Sequence, residues 1–325
     1  MSGLPFEAVA RVIRASKTAF LTVHQKPDGD ALGSQLALAR LMERVGLKVW
    51  MANEDAVPAR YAFLPGARRI RTGPAGLPKR FDLAMVFECA DLTRAGNTGP
   101  VAKRAKTIIN MDHHLNNRNY GTYNLVDPTA PAEILLAEAL REMLDLPMDK
   151  DIAMAFYVGL YTETGGFRYN NTTPAVLRLA SRLVEEGVNP KFVGEQVYER
   201  QPLRRLKLLA RALDTLTVRD GVAWMWVTRE DFVAMRASEE DVEDFVEYPR
   251  AVKGVQMAVF MRETRRGDVR VSLRAKSPVP VHRIAQRFSG GGHAYAAGCT
   301  VKAPSAEAAR VPLAAAIRRE LRSAR

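Results

Sequence analysis

Apolar and polar positions alternate between two registers in the first half of the chain. Runs of strand length at residues 18–24, 47–52, 81–87 and 107–111 are apolar or β-branched, while residues 31–45 repeat apolar side chains at helical spacing. Strands alternating with helices predict an α/β fold on a parallel sheet with crossover helices. Beyond Asp127-Pro128, residues 132–144, 151–162 and 174–186 predict three helices, the last closed by Gly187 and Pro190 as a helix stop requires.

Residues 191–216 read as charged helix, broken only at Gln201-Pro202, and predict a connector. The pattern then changes to hairpins. Residues 218–227 turn at Asp220-Gly221, and residues 256–262 and 268–274 flank a turn at 265–267. With further helices and a strand at 298–301 they predict a second, smaller mixed α/β unit. The expected division is a first domain 1–190, a helical linker 191–216 and a second domain 217–325. A chain of 325 residues exceeds the size at which one core keeps growing.

Polar residues able to bind ions gather where the predicted strands end. His24, Asp28 and Asp30 follow the first run, Glu88 and Asp91 the third, and Asp112, His113 and His114 the fourth. In an open parallel sheet the loops at the carboxyl ends of strands converge on one crevice, so distant clusters can share a centre. Imidazole and carboxylate without thiolate form a hard donor set that suits Mn²⁺ or Mg²⁺. On an extended backbone Asp28 and Asp30 would face opposite sides and serve two neighbouring metals. A turn followed by a helix that Asp30 caps is the alternative. Glu88 or Asp91 would supply a third carboxylate. Glu163, where an apolar helix runs into glycines, is a fourth, and an acid there opposes the macrodipole unless an ion is near. Phe167 and Tyr169 beside it are candidates for stacking on a base.

Composition narrows the class further. With 47% hydrophobic and 26% charged residues, and no apolar run of membrane-span length, the chain reads as a soluble, cytoplasmic globular protein. Two cysteines, Cys89 and Cys299, offer neither a disulfide framework nor a zinc spacing and read as buried small hydrophobes. The net charge of +12 favours a polyanionic partner. Gly290, Gly291 and Gly292 before His293 read as a loop whose N–H groups can approach an anion.

In order and spacing, His24-x-x-x-Asp28-Gly-Asp30, the acidic strand end at Glu88, Asp112-His113-His114 and the Thr162-Glu163-Thr164-Gly165 turn resemble the four motifs of the DHH phosphoesterases. The run from Gly290 to Gly298 resembles the signature of the DHH-associated C-terminal domain. The two-domain layout is most similar to the NrnA-type oligoribonucleases (nanoRNases), which also act as 3′-phosphoadenosine 5′-phosphate phosphatases. The resemblance implies His24 and Asp28 on one divalent metal, Asp30 and His113 on a second, Glu88 bridging and Glu163 completing the second site. Mn²⁺ is the expected ion, with Mg²⁺ and Co²⁺ as alternatives. It further implies that His114 faces the substrate phosphate and Asp112 orients a ligand. Arg94, Arg274, Gly290, Gly291, Gly292 and His293 would hold the substrate. Glutamate stands at Glu88 and Glu163 where the family usually has aspartate, which re-tunes the metal site or weakens it.

The function this implies is a two-metal phosphodiesterase degrading nanoRNA and linear dinucleotides such as pApA and pGpG to mononucleotides, with 3′-phosphoadenosine 5′-phosphate as a further substrate. The expected partners are short RNA and nucleotides, no membrane, and a second copy in a homodimer. The alternatives are a cyclic di-AMP phosphodiesterase and a metal-depleted nucleotide-binding protein.

Overall fold

The computed structural model describes residues 3–276, 279–292 and 294–323, and the chain divides into two compact units, Met1–Arg200 and Gln201–Arg325. The first unit opens with α1 (Phe6–Ala15), β1 (Thr18–Val23), α2 (Gly29–Arg44), β2 (Lys48–Asn53) and a short β3 (Arg71–Thr72). It continues with β4 (Phe81–Phe87), α3 (Gly99–Ala102), β5 (Ala105–Asp112) and β6 (Tyr123–Val126). Three long helices follow, α4 (Ile134–Met143), α5 (Lys150–Glu163) and α6 (Pro174–Glu185), then α7 (Pro190–Gly194) and a π turn, Glu195–Glu199. The six strands form one sheet in the order β3-β2-β1-β4-β5-β6, and every pairing is parallel.

The apolar strand runs are explained by burial on both faces. Ala19, Leu21, Val23, Leu83, Met85, Phe87, Ile109 and Met111 belong to a core with the long helices. Phe20, Phe81, Ala84 and Val86 belong to a second core with Val101 and Ala102 of α3. Helices α2 and α5 pack very closely. A Cβ added at Gly33 would lie 2.4 Å from the carbonyl oxygen of Ala155, so only glycine allows this approach. The helix on which Asp30 sits is thereby drawn against the one that ends in Glu163.

The second unit begins with α8 (Leu203–Asp214), β7 (Thr217–Arg219), β8 (Val222–Val227), α9 (Arg229–Ala234) and α10 (Glu247–Ala251). It ends with β9 (Met257–Glu263), β10 (Val269–Ala275), α11 (Val281–Gln286), β11 (Gly291–Gly292), β12 (Ala296–Val301) and α12 (Ala306–Ser323). Its sheet runs β11-β12-β10-β9-β8-β7, antiparallel except for the β8–β9 pair; the two expected hairpins are β7–β8 and β9–β10, and with its helices the unit is mixed α/β as predicted.

Two expectations are corrected. The stretch 191–216 is no separate linker: the unit boundary falls inside it, at Arg200. Val193 and Val197 are buried in the first unit's core, and Leu208, Leu209 and Ala212 in a core of the second. Apolar residues buried on either side of the break anchor each half to its own unit. The glycine run is no open loop either. Gly291 and Gly292 pair with Gly298 and Ala297 as a short edge strand, and a Cβ on Gly290 would meet the Gly298 carbonyl at 2.2 Å. Backbone packing explains that glycine without a ligand.

Among the described residues no helix is long and apolar enough to cross a membrane. Cys89 and Cys299 are both free and buried, as expected.

Candidate metal centre

Three neighbouring strands, β1, β4 and β5, deliver their chemistry at the same edge. His24 follows the last residue of β1, Glu88 that of β4, and Asp112 ends β5 with His113 and His114 directly after it. His24 is buried, and its Nδ1 lies 2.7 Å from the Gln25 carbonyl oxygen, which leaves Nε2 on the side of Asp28 Oδ2 at 3.6 Å.

Asp28, not Asp30, caps α2: its Oδ1 accepts the Ala31 N–H at 3.0 Å. The helix has already begun at Gly29, so the extended alternation expected of Asp28 and Asp30 does not occur. Asp30 instead turns inward to the start of α4, accepting N–H groups from Glu133 at 2.8 Å and Ile134 at 3.1 Å. Those two donors and the helix dipole favour its charge. Burial and the neighbouring Glu88 oppose it and push the carboxyl up to about 8.

Glu88 is the pivot. Its backbone lies in the left-handed region, φ +56°, uncommon for a residue with a side chain. Its N–H is shared between the Met111 carbonyl at 3.1 Å and Glu133 Oε2 at 2.8 Å. Oε1 stands 3.2 Å from His113 Nε2, and Oε2 stands 3.8 Å from His114 Nδ1. Oε1 is nonetheless buried without an aligned hydrogen-bond partner. The rival third carboxylate, Asp91, caps the turn after β4 by accepting the Thr93 N–H at 2.8 Å and pairs with Arg118 at 2.6 Å.

Asp112 is fully buried and faces its own histidines. Its Oδ1 accepts the backbone N–H groups of His113 at 2.7 Å and His114 at 3.0 Å and lies 2.6 Å from His114 Nδ1, while Oδ2 accepts from the Asn117 amide. Although burial works against ionisation, these donors hold its carboxyl below the usual range. His113 turns Nδ1 to the Ala130 carbonyl at 3.0 Å, which points Nε2 at Glu88. Burial disfavours the His113 imidazolium, yet Glu88 and then Glu163 and Asp30 raise its pKa well above the ordinary value.

These side chains form overlapping groups whose ligand atoms lie within 4.8 Å of one another: His24, Asp28 and Glu88; Asp30, His113 and Glu163; and Glu88, His113 and His114. Glu163, the last residue of α5, is pushed well above the usual carboxylate range, first by burial and then by Asp30 and Glu88 against the lowering effect of His113. Carboxylates so close repel one another unless a cation neutralises them. The donors are hard oxygens and imidazoles gathered in one largely buried place. The residues fit a divalent metal of the Mn²⁺ or Mg²⁺ type.

The fourth such group, Glu88, Asp112 and Glu133, contains a residue that sequence reasoning missed. Glu133 precedes Ile134 in an apolar helical run and read as an ordinary helix residue. Its only signal was an acid at a helix start among side chains otherwise destined for the core. Asn117, which holds Asp112, carried no signal at all.

The remaining expected site residues are placed as follows. Arg94 is exposed on the turn after β4, where its carbonyl accepts the Gln25 N–H at 2.7 Å. In the second unit Arg274 lies on β10 and donates from Nε to Glu247 at 3.1 Å, with Gly291 and Gly292 two strands away on the edge strand β11 and Gly290 directly before them. His293 lies outside the described residues. Phe167 packs edge-on against Tyr157 and Tyr161, with ring centroids 5.9 and 5.5 Å away, which makes it a packing residue.

The family model described as "DHH family, N-terminal domain" matches residues 18–160, and that described as "DHHA1 domain" matches residues 231–319. A Thermus thermophilus protein named "Bifunctional oligoribonuclease and PAP phosphatase NrnA" is 33% identical over 96% of this chain and 93% of its own. A Bacillus subtilis protein of the same name is 22% identical over 90% of this chain and 91% of its own. Among solved structures, an exopolyphosphatase-related protein from Bacteroides fragilis shares the fold with a TM-score of 0.90 and 24% identity, covering 97% of this chain and 96% of that one.

Proposed function

The chain belongs to the DHH family and carries the associated DHHA1 domain, and from that premise we propose that it is a metal-dependent phosphodiesterase of short oligoribonucleotides. In this reading it releases mononucleotides from nanoRNA and linear dinucleotides and also removes the 3′-phosphate of 3′-phosphoadenosine 5′-phosphate. The names of its Thermus and Bacillus relatives support the substrate class. The observation that carries the chemistry is the pair of triads His24, Asp28, Glu88 and Asp30, His113, Glu163 at one sheet edge.

Those triads would hold two divalent ions, Mn²⁺ first. Such ions, when bound, activate water and neutralise charge on the phosphoryl oxygens. Asp112 fixes His114 through Nδ1, and the ring's Nε2 is then the atom that hydrogen-bonds a non-bridging phosphate oxygen. Arg94, Arg274, the Gly290–292 run and His293 would take the nucleotide's phosphates and end. Glu88 and Glu163 keep the metal-binding carboxyl at both positions where the family usually has aspartate. This supports an active centre over a decayed one.

The test is a time course with Mn²⁺ on 5′-labelled RNAs of graded length, on linear and cyclic di-adenylate, and on 3′-phosphoadenosine 5′-phosphate, with His113→Ala as control. Rapid cleavage of pApA and pGpG is expected. Protein that holds Mn²⁺ yet leaves both intact overturns the reading, and faster cleavage of the cyclic dinucleotide replaces it with the cyclic substrate.

A further inference from the structure

Glu133 touches two of the residues proposed to bind metal, through different atoms. Its backbone N–H donates to Asp30 Oδ2 at 2.8 Å, and its side-chain Oε2 accepts the N–H of Glu88 at 2.8 Å. The side chain is fully buried and makes no cap to its own helix, α4. Its second oxygen, Oε1, has no hydrogen-bond partner. Nothing in the packing of α4 calls for a carboxylate here, and burying one is costly.

We propose that Glu133 is a positioning residue: its carboxylate clamps the left-handed backbone at Glu88 so that the Glu88 side chain is presented to the metals, in register with Asp30. The inference rests on the metal-centre reading above and adds a residue to it. Glu88 is the place that needs a clamp. A non-glycine residue at φ +56° persists only where its surroundings hold it. The Met111 carbonyl alone continues the sheet ladder, and Glu133 adds the bond that fixes the turn out of β4. Because Asp30 is held by the Glu133 backbone and Glu88 by its side chain, a side-chain substitution disturbs Glu88 and spares Asp30.

The experiment uses the full chain with Glu133→Met, which fills the space without an acceptor, and Glu133→Gln, whose amide oxygen can still accept the Glu88 N–H. Mn²⁺ affinity is read from the electron paramagnetic resonance signal of free Mn²⁺, and kcat and KM on pApA are measured beside it. Glu133→Met is expected to weaken Mn²⁺ binding about tenfold or more, the range for residues that orient metal ligands, and to lower kcat with KM little changed. Glu133→Gln is expected to stay within about threefold of the wild type.

Wild-type Mn²⁺ affinity in Glu133→Met overturns the proposal and leaves the functional reading standing. Equal impairment in the two variants also overturns it, because charge and not the clamp would then be responsible. Should Glu133→Met fail to fold, Glu133→Gln still decides, since a tenfold loss there has the same force. Wild-type protein that binds no Mn²⁺ overturns the metal reading and this proposal with it.

Discussion

Glu88 Oε1 lies 3.2 Å from His113 Nε2, a carboxylate from the end of β4 against a ring from the end of the neighbouring β5. The contact depends on the full reach of a glutamate. Glu88→Asp withdraws the carboxylate by one methylene from a site built around the longer side chain. Mn²⁺ affinity is expected to drop about tenfold, as for other disturbances of ligand placement. Calorimetric titration checks this, and unchanged affinity would show that the backbone moves to compensate.

Asp112 gathers two backbone N–H groups, a histidine nitrogen and an asparagine amide in a fully buried place. Asp112→Ala leaves those donors unpaired, and unfolding in urea should show a loss of about 2–4 kcal/mol. Asp112→Asn should lose less stability, but hydrolysis should still fall, because the carboxylate that orients His114 is gone.

Gly33 permits the contact between α2 and α5. Gly33→Ala sets a methyl group 2.4 Å from the Ala155 carbonyl oxygen, and the helices must separate. Overpacking of this kind costs about 1–3 kcal/mol, read as a lower urea midpoint at unchanged slope. Because Asp30 and Glu163 ride on these two helices, metal affinity should fall in the same variant.

The pH dependence of stability has a contributor far from the centre. Lys106, then the Lys17 N–H and the Thr18 hydroxyl, hold the Asp82 carboxyl well below its usual range. A depressed carboxyl stabilises the fold above the unfolded-state value near about 3.9 and loses that contribution as pH falls through the folded value. With a quarter of its side chain open to solvent, its worth is about 1 kcal/mol. Asp82→Asn should therefore be less stable than the wild type at neutral pH, and the gap should close in acid, as measured by urea unfolding from pH 7 to pH 2.

Removal of divalent ions should destabilise the first unit, because Asp30, Glu88 and Glu163 would then face one another without compensating charge. Treatment with a chelator is expected to lower the melting temperature. Mn²⁺ at a hundredfold excess over its dissociation constant should restore about 2.7 kcal/mol. An unchanged melting curve would speak against metal binding at this edge.

Much of the first unit was legible in the chain because parallel strands are buried on both faces and so write themselves as continuous apolar runs. The end of each run places His24, Glu88 and Asp112 at one sheet edge from the sequence alone. Local spacing could not say which way a side chain turns. Asp28 rather than Asp30 became the cap because the helix starts at Gly29, two residues earlier than a cap at Asp30 requires. The glycine run became a strand by pairing with β12 a few residues further on, and glycines carry none of the apolar alternation by which a strand is read from sequence.

By itself, the sequence determined the kinds of element, their order and the residues able to hold an ion, since these follow from side-chain chemistry and short-range periodicity. Only the tertiary structure decided that Glu133 accepts the Glu88 N–H, that Asp91 is spent on a turn and that Asp112 bonds His114. Each depends on a contact or a backbone angle set where separate segments meet, and such distances are fixed by packing, not by the order of residues.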